Sequence, residues 1–166
     1  MDKNIVLIGM PAVGKTTIGT LLSQKIGLDF IDTDTLIKNK EKKSIPRIIS
    51  QIGVKNFLLL EEKYLLSIKY TNHIIATGGS VIYSEKGMKH LSNNSIIVYL
   101  EIAFNYLAER LSCLDLDKRG VVKASNQSIK SLYLERTPLY RKYADIKIKC
   151  DLLTIEQILL KILDIL

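Results

Sequence analysis

Eight consecutive residues near the start of the chain carry the clearest chemical signal. They run from Gly9 to Thr16 as G-M-P-A-V-G-K-T and fit the pattern G-x-x-x-x-G-K-[ST]. Glycines in this pattern let a tight loop direct backbone N–H groups at phosphate oxygens, the lysine reaches the outer phosphates, and the terminal hydroxyl ligates Mg²⁺. The sequence therefore predicts a bound nucleotide phosphate and a magnesium ion, in contact with Lys15 and Thr16.

Two carboxylates, Asp32 and Asp34, lie one residue apart at the end of a short apolar stretch. We expect residues 28–34 to form a strand, in which side chains two residues apart share a face. At the carboxyl end of such a strand, one acid could reach the metal while the other takes a proton or hydrogen bond from the attacking group. Alternatively, Asp34 caps the following helix, and capping and catalysis are compatible.

Three later stretches are weaker candidates for ligand contact. Gly78-Gly79-Ser80 could bring backbone N–H groups and a hydroxyl to a ligand, although a simple turn would also use two glycines. Lys118-Arg119-Gly120 lies in a stretch without periodicity, which is typical of a phosphate-covering lid but also of an ordinary exposed loop. Arg136 could bind a carboxylate or phosphate through two hydrogen bonds, or pair with a nearby acid.

The elements that would position these residues alternate strand and helix along the chain, which indicates an α/β fold with a parallel sheet. Strands are predicted over 3–8, 28–34, 73–77, 96–100 and 145–150. Helices are predicted over 16–26, 35–70, 103–111, 129–143 and 154–166.

Three residues set expected boundaries within these helices. Gly53 should interrupt the long helical stretch at 35–70. Pro138 predicts a kink or helix boundary near Thr137. Thr154 is the expected N-cap of the last helix.

Length and composition indicate one soluble globular domain. The chain has 166 residues, of which 47% are hydrophobic and 25% charged. The first residues lead straight into a predicted strand, and no apolar run approaches the roughly 18 residues of a spanning helix. We therefore expect a cytoplasmic protein without a signal peptide or a membrane partner.

The net charge of +7 suits either nucleic acid or an anionic small substrate. Basic residues are scattered, and their densest run, residues 38–43, is interrupted by Glu41 and is typical of a solvated helix end. We expect no nucleic-acid partner. Cys113 and Cys150 lie far apart without a CxxC or His-rich companion, so we expect neither a disulfide nor a zinc site.

Taken in order, these motifs resemble those of the shikimate kinases, small P-loop kinases of the nucleoside-monophosphate-kinase type. The resemblance spans almost the whole chain and rests on residues 9–19, 32–34, 76–80, 118–121 and 135–145. It implies a three-layer P-loop kinase fold, with a five-stranded parallel sheet flanked by helices, in a single domain covering 1–166. It also implies a helical substrate-binding insertion at about 35–70 and a lid at about 112–128.

The implied reaction is transfer of the γ phosphate of ATP to the 3-hydroxyl of shikimate, with Mg²⁺ as cofactor, in aromatic amino-acid biosynthesis. The resemblance implies that Lys15, Asp34 and Arg119 are catalytic. The implied ligand contacts are Pro11, Ala12, Val13, Gly14, Lys15, Thr16, Thr17, Arg110 and Arg119 for ATP, with Arg110 against the adenine; Thr16 and Asp32 for Mg²⁺; and Asp34, Gly78, Gly79, Ser80 and Arg136 for shikimate. Small kinases of this type often act as monomers, so a monomer is expected.

The acceptor side of the sequence departs from the family pattern. Leu58 stands where the family's F-R-x-x-E has the arginine that grips the shikimate carboxylate, and Ser80 replaces the third glycine of G-G-G. The lid has Gly120-Val121 after its arginine instead of proline-leucine. Lys55 is a candidate substitute for the missing arginine. The alternatives are a related kinase for another hydroxylated metabolite, such as a sugar acid or a nucleotide, and a nucleotide-binding regulator that has lost catalysis.

Overall fold

Five strands form one parallel sheet in the computed structural model of the protein, which describes residues 3–112, 120–124 and 126–166. In chain order the strands are β1 (Asn4–Ile8), β2 (Asp29–Asp32), β3 (His73–Ala76), β4 (Ser95–Glu101) and β5 (Ile146–Lys149). Their order across the sheet is β2-β3-β1-β4-β5, and every neighbouring pair is parallel. The predicted five-stranded parallel sheet is confirmed.

Seven α-helices and one 3₁₀ turn flank or connect the strands within the described residues. The helices are α1 (Lys15–Ile26), α2 (Thr33–Glu41), α3 (Ile45–Ser67), α4 (Glu85–Ser92), α5 (Phe104–Ser112), α6 (Ile129–Tyr143) and α7 (Ile155–Leu163), and the 3₁₀ turn is Val81–Tyr83. Sequence patterns did not predict α4. In the described part of the chain, no helix combines the length and apolarity needed to cross a membrane.

Two apolar clusters support different parts of the molecule. The larger one gathers side chains of the sheet, α1, α4, α5 and α7, with β1 fully buried. The smaller one lies under α2 and α3 and consists of Ile37, Ile45, Ile48, Phe57 and Val122. Within α3, Gly53 has φ 77° and ψ 163°, so the predicted break at this glycine is confirmed.

The second strand ends earlier than expected, and this changes the setting of Asp34. β2 stops at Asp32, whose Oδ1 accepts a hydrogen bond from the Thr35 backbone N–H at 2.8 Å and so caps α2. The predicted strand through residue 34 is wrong, because a short carboxylate at the N-cap satisfies a helix N–H and starts the helix there. Asp34 therefore projects from the first turn of α2.

The helix that carries Arg136 also differs from expectation. α6 continues through Pro138 to Tyr143, so there is no helix boundary at Thr137. Its residues Leu132, Arg136, Thr137 and Tyr140 are buried. This packing holds the helix together across the proline, because tertiary contacts supply most helical stability in proteins.

Candidate active site

The loop between β1 and α1 has a backbone suited to holding an anion. Ala12 and Gly14 both have left-handed backbone conformations, with φ 66° and 106°. Alternation of this kind turns successive N–H groups to one side and forms an anion-binding concavity. Gly14 caps α1 without a side chain, so the N–H groups of the first turn remain for a ligand that the helix dipole also favours.

Lys15 is almost fully buried at the centre of this loop. Its Nζ donates hydrogen bonds to the carbonyl oxygens of Gly9, at 2.7 Å, and Met10, at 2.9 Å. Burial lowers the pKa of Lys15 to about 8, against the opposing effect of nearby carboxylates, of which Asp34 is the strongest. The loop's own carbonyls therefore hold an ammonium group that has lost its water.

Thr16 and Asp32 bring two oxygen donors together beside the loop. The Thr16 hydroxyl donates to Asp32 Oδ2 at 2.7 Å. Mg²⁺ prefers oxygen ligands and usually takes one or two carboxylates, with water and substrate phosphates completing its shell. Among the described residues, no three His, Cys, Asp or Glu side chains gather into a metal cage. The hydroxyl and carboxylate present fit a Mg²⁺ ion shared with a nucleotide.

Asp34 faces the same space from the first turn of α2. Burial, and after it the negative charge of Asp32, raises the pKa of Asp34, while Lys15 and Lys38 oppose the rise. A carboxylate with a raised pKa is a better proton acceptor near neutral pH. The environment of Asp34 therefore suits it to the role of a general base.

The loop after β3 is held to the rest of the protein by its polar groups. The Gly78 N–H donates to the Thr33 hydroxyl at 3.0 Å, and the Ser80 hydroxyl donates to Glu61 Oε2 at 2.8 Å. The Gly79 carbonyl accepts the Tyr140 hydroxyl at 2.5 Å. Two groups expected to face a ligand, the Gly78 N–H and the Ser80 hydroxyl, are thus bonded within the protein.

Arg136 is buried, and neutral groups hold it in place. It is 1% exposed, its Nε donates to the Tyr83 hydroxyl at 3.1 Å, and its Nη2 donates to the Val122 carbonyl. Its third nitrogen, Nη1, lies 3.0 Å from the point where a side chain on Gly79 would begin. No ion pair with an acid is found for Arg136 among the described residues, so the alternative of a structural acid pair is not observed.

These groups line one cavity of about 610 Å³. The predicted contact residues on its wall are Pro11, Ala12, Gly14, Lys15, Thr16, Thr17, Asp32, Asp34, Gly78, Gly79, Ser80 and Arg136. Further lining residues, outside the predicted set of ligand contacts, are Thr35, Lys38, Ser44, Ile45, Pro46, Phe57, Thr77, Gly120, Val121 and Val122. Of these, Thr77 belongs to the motif at 76–80, and Gly120, Val121 and Val122 fall within the predicted lid.

Two predicted ATP contacts, Val13 and Arg110, are not on this wall. Val13 is buried in the core, and its carbonyl accepts a hydrogen bond from Arg110 Nη1 at 3.1 Å. Arg110 is therefore attached to the phosphate loop from behind. Arg119 lies outside the described residues, as do residues 113–118 and 125 of the predicted lid.

Leu58 lines a different and largely apolar cavity, of about 560 Å³. Val122 and Tyr83 stand beside it there, and Val122 also borders the main cavity. Lys55, the candidate substitute for an arginine at position 58, is exposed and lines neither cavity, whereas Lys38 lines the main one. Among the described residues on the wall of the main cavity, the cationic side chains besides Lys15 are Lys38 and Arg136.

Sequence analysis missed Glu61 as part of the site. Its side chain is 2% exposed and accepts the Ser80 hydroxyl, while its Oε1 has no hydrogen-bond partner among the residues that the structure describes. Burial raises the pKa of Glu61 to about 7. A signal existed, because Glu61 lies four residues from the buried Phe57 and four from the buried Leu65, on the apolar face of α3.

Comparison with known proteins decides the family. The model of the shikimate kinase family matches residues 11–166. The chain belongs to the shikimate kinase family. It is 37% identical over 164 residues to a shikimate kinase of Thermodesulfovibrio yellowstonii, an alignment that covers 97% of this chain and 93% of that protein. The family membership confirms the prediction of an ATP-using phosphotransferase of the shikimate kinase type.

The chain is also similar to a solved shikimate kinase structure and to part of a longer protein. The solved structure of shikimate kinase from Acinetobacter baumannii in complex with shikimate has a TM-score of 0.90 and 28% identity, covering 99% of this chain and 93% of that one. This confirms the fold class. The chain is also 36% identical over 151 residues to threonine synthase-like 1 of Homo sapiens, covering 90% of this chain but 20% of that protein.

Proposed function

We propose that this protein transfers the γ-phosphoryl group of ATP to the 3-hydroxyl of shikimate, giving shikimate 3-phosphate and ADP in aromatic amino-acid biosynthesis. The observation that carries the proposal is one cavity in which the phosphate loop, Asp34 and the buried Arg136 meet. Phosphoryl transfer depends on positioning donor and acceptor together and on stabilising charge in a space with little water. Relatives named shikimate kinase, one of them solved with shikimate bound, suggest the acceptor.

On the donor side, the loop N–H groups and Lys15 would bind the phosphates. We expect the Lys15 ammonium to exchange its bonds to Gly9 and Met10 for oxygens of the transferred group, where it stabilises negative charge. Thr16 and Asp32 would hold Mg²⁺, which when bound neutralises charge on the β and γ phosphates. Contact of Arg110 with the adenine and closure of Arg119 over the phosphates remain predictions.

On the acceptor side, Arg136 would bind the shikimate carboxylate while Asp34 takes the proton of the 3-hydroxyl. The 3-oxygen forms a bond to the γ phosphorus as the bond from that phosphorus to the bridging oxygen of ADP breaks. The proton passes to the Asp34 carboxylate, whose raised pKa favours this transfer. Gly78 and Gly79, without side chains, would let the acceptor approach the backbone closely.

The same proposal includes the domain limits, the cellular location, the oligomeric state and the partners of the protein. A single kinase domain over 1–166 would include an insertion at about 35–70, supported by the separate apolar cluster under α2 and α3, and a lid at about 112–128. The net charge of +7 suits anionic substrates, and we propose a cytoplasmic monomer without a nucleic-acid partner.

A second candidate is a related kinase for another hydroxylated acid. Leu58 lines the apolar cavity and not the main cavity, and the Ser80 hydroxyl donates a hydrogen bond to Glu61. This chain is also similar to one fifth of threonine synthase-like 1, so related sequences occur within proteins of other names. The arrangement of Lys15, Asp32 and Asp34 argues against a regulator without catalysis.

An ADP-release assay with ATP, Mg²⁺ and either shikimate or no acceptor tests the proposal. We expect turnover far above the no-acceptor background, and phosphorus NMR should identify the 3-phosphate. If shikimate gives only background turnover while a sugar acid such as gluconate is phosphorylated, the second candidate replaces the first. ATP binding without transfer to any member of an acceptor panel would leave only the regulator.

A further inference from the structure

A carboxyl group that takes no part in the proposed chemistry lies beneath the acceptor side of the cavity. We propose that Glu61 is a positioning residue whose charge sets the affinity of the cavity for an anionic acceptor: binding is tight when Glu61 is uncharged and weak when it is charged. The inference rests on the proposed function, because it requires an acceptor with a carboxylate beside Arg136.

The geometry puts Glu61 directly under the loop that would contact the acceptor. A side chain on Gly78 would begin 2.5 Å from Glu61 Oε1 and 2.8 Å from Asp34 Oδ1. The Glu61 oxygen that lacks a hydrogen-bond partner among the described residues and the carboxylate of Asp34 therefore face the same space beside Gly78, where a side chain would stand. Glu61 Oε2 is bonded to Ser80, the residue two positions further along the same loop.

The charged and polar groups around Glu61 come from four other elements. Ser80 of the loop stabilises the charged carboxylate by its hydrogen bond, and Arg136 of α6 and Lys15 of α1 do so by their charges. Asp34 of α2 opposes the charge, and burial opposes it most strongly. The result is a pKa of about 7, so Glu61 changes charge in the neutral range.

An anionic acceptor would add a further negative charge to the buried surroundings of Glu61. Repulsion between charges is much stronger inside a protein than in water, so the bound anion favours the protonated form of Glu61. Linkage is reciprocal: acceptor binding then takes up a proton from solvent, and affinity falls as pH rises through the pKa. An acceptor without charge would show neither effect.

Titration calorimetry with shikimate tests this, in two buffers of different ionisation enthalpy so that proton uptake can be measured. For the wild-type protein we expect proton uptake near neutral pH and a roughly tenfold or greater loss of affinity between about pH 6 and about pH 8.5. The uncharged methyl ester of shikimate should bind without proton uptake.

Two variants assign the proton to Glu61. Near pH 7, Glu61→Gln should bind shikimate without the proton uptake of the wild type, and its affinity should not fall until Lys15, whose pKa is about 8, loses its charge. Ser80→Ala removes a hydrogen bond that favours the charged form, so the loss of affinity should move to higher pH. The matched control is Glu62→Gln, which alters the neighbouring acid that accepts the Ser84 hydroxyl at 2.6 Å, and should behave like the wild type.

The outcomes separate this inference from the proposed function. Binding of shikimate to the wild-type protein with constant affinity and no proton uptake overturns the role of Glu61 and leaves the proposed reaction standing. Unchanged proton uptake in Glu61→Gln, or an unmoved pH dependence in Ser80→Ala, also overturns it. Absence of shikimate binding at every pH overturns both. The wild-type measurement and Ser80→Ala keep the test decisive even if Glu61→Gln does not fold.

Discussion

The donor and acceptor sides of the cavity are built in different ways. The donor side is a contiguous loop whose lysine is held by backbone carbonyls five and six residues away. The acceptor side combines Asp34, Gly78-Gly79 and Arg136, which are distant in sequence. Hydrogen bonds with side chains of other elements hold the two glycines and Arg136. A site made of backbone tolerates many sequences, whereas a site made of side chains changes with each substitution. The departures at Leu58 and Ser80 both fall at positions that the family pattern assigns to the acceptor side.

The largest expected effect is on the donor side. Lys15→Ala should lower kcat by about 10²–10³-fold or more with any acceptor, because it removes a cation that stabilises charge on the transferred group. The ADP-release assay measures this loss, and circular dichroism should show an intact fold. Lys25→Ala, in the last turn of the same helix, should keep full activity. Substantial turnover in Lys15→Ala would contradict the donor-side assignment.

The second effect concerns stability on the acceptor side. A carboxyl whose pKa rises from 4.5 in the unfolded chain to about 7 in the folded protein costs stability as pH rises between those values, and the full cost is present above pH 7. Glu61→Gln has no such cost, so its free energy of unfolding relative to wild type should improve by up to about 3 kcal/mol between about pH 5 and about pH 8.

Urea unfolding at the two pH values measures the change, with Glu62→Gln as the control. Glu62 is only half-buried, so its variant should show much less pH dependence. Equal pH dependence in the two variants would mean that burial of Glu61 does not control its ionisation.

A smaller effect is expected from Arg136. Arg136→Ala should raise the KM for shikimate by about 10–100-fold, the range expected for loss of a charge-assisted hydrogen bond, while ATP affinity stays unchanged. Arg136→Lys keeps the charge but loses the planar guanidinium group. Its KM for shikimate should therefore lie between those of the wild type and Arg136→Ala. The control is Arg141→Ala on the same helix, whose exposed side chain pairs with Glu101. A parallel loss of ATP affinity would show that the two sides are not separate.

The smallest expected effect is that of a substitution at Leu58 on the KM for shikimate. Leu58→Arg places a cation beside the acceptor side, one helical turn before Glu61, and should lower the KM for shikimate by at most about tenfold. Leu59→Arg, at a side chain that is 59% exposed, should leave the KM unchanged. An unchanged KM in Leu58→Arg would mean that an arginine there turns into the apolar cavity.

The donor side was predictable because its chemistry lies in consecutive residues. The glycine loop, the strand before it and the helix after it can each be recognised from a short window of sequence, and the structure brings Lys15, Thr16 and Asp32 together as expected. The order of strands and helices was sufficient to predict the five-stranded parallel sheet. Local patterns report local structure well when packing and propensity agree.

The acceptor side was predicted less completely because its contacts join distant residues. Nothing near Ser80 indicates that its hydroxyl will bond to Glu61, nineteen residues earlier, and nothing near Gly78 shows that its N–H will bond to Thr33. β2 ends at Asp32 because Asp32, and not Asp34, accepts the hydrogen bond from the helix N–H of Thr35. The spacing of the two acids does not decide which of them caps the helix. The role of Arg119 and the lid limits remain predictions.

The tight surroundings of the loop after β3 restrict how the protein can vary during evolution. Any side chain at Gly78 would collide with the two acids beneath it, and one at Gly79 would crowd Arg136 and Pro11, at 3.0 Å from each. Only the third position has room, and there the chain has a serine that turns toward α3. New acceptor preferences in descendants of this protein should therefore arise at position 80 and on α3, while the two glycines stay fixed.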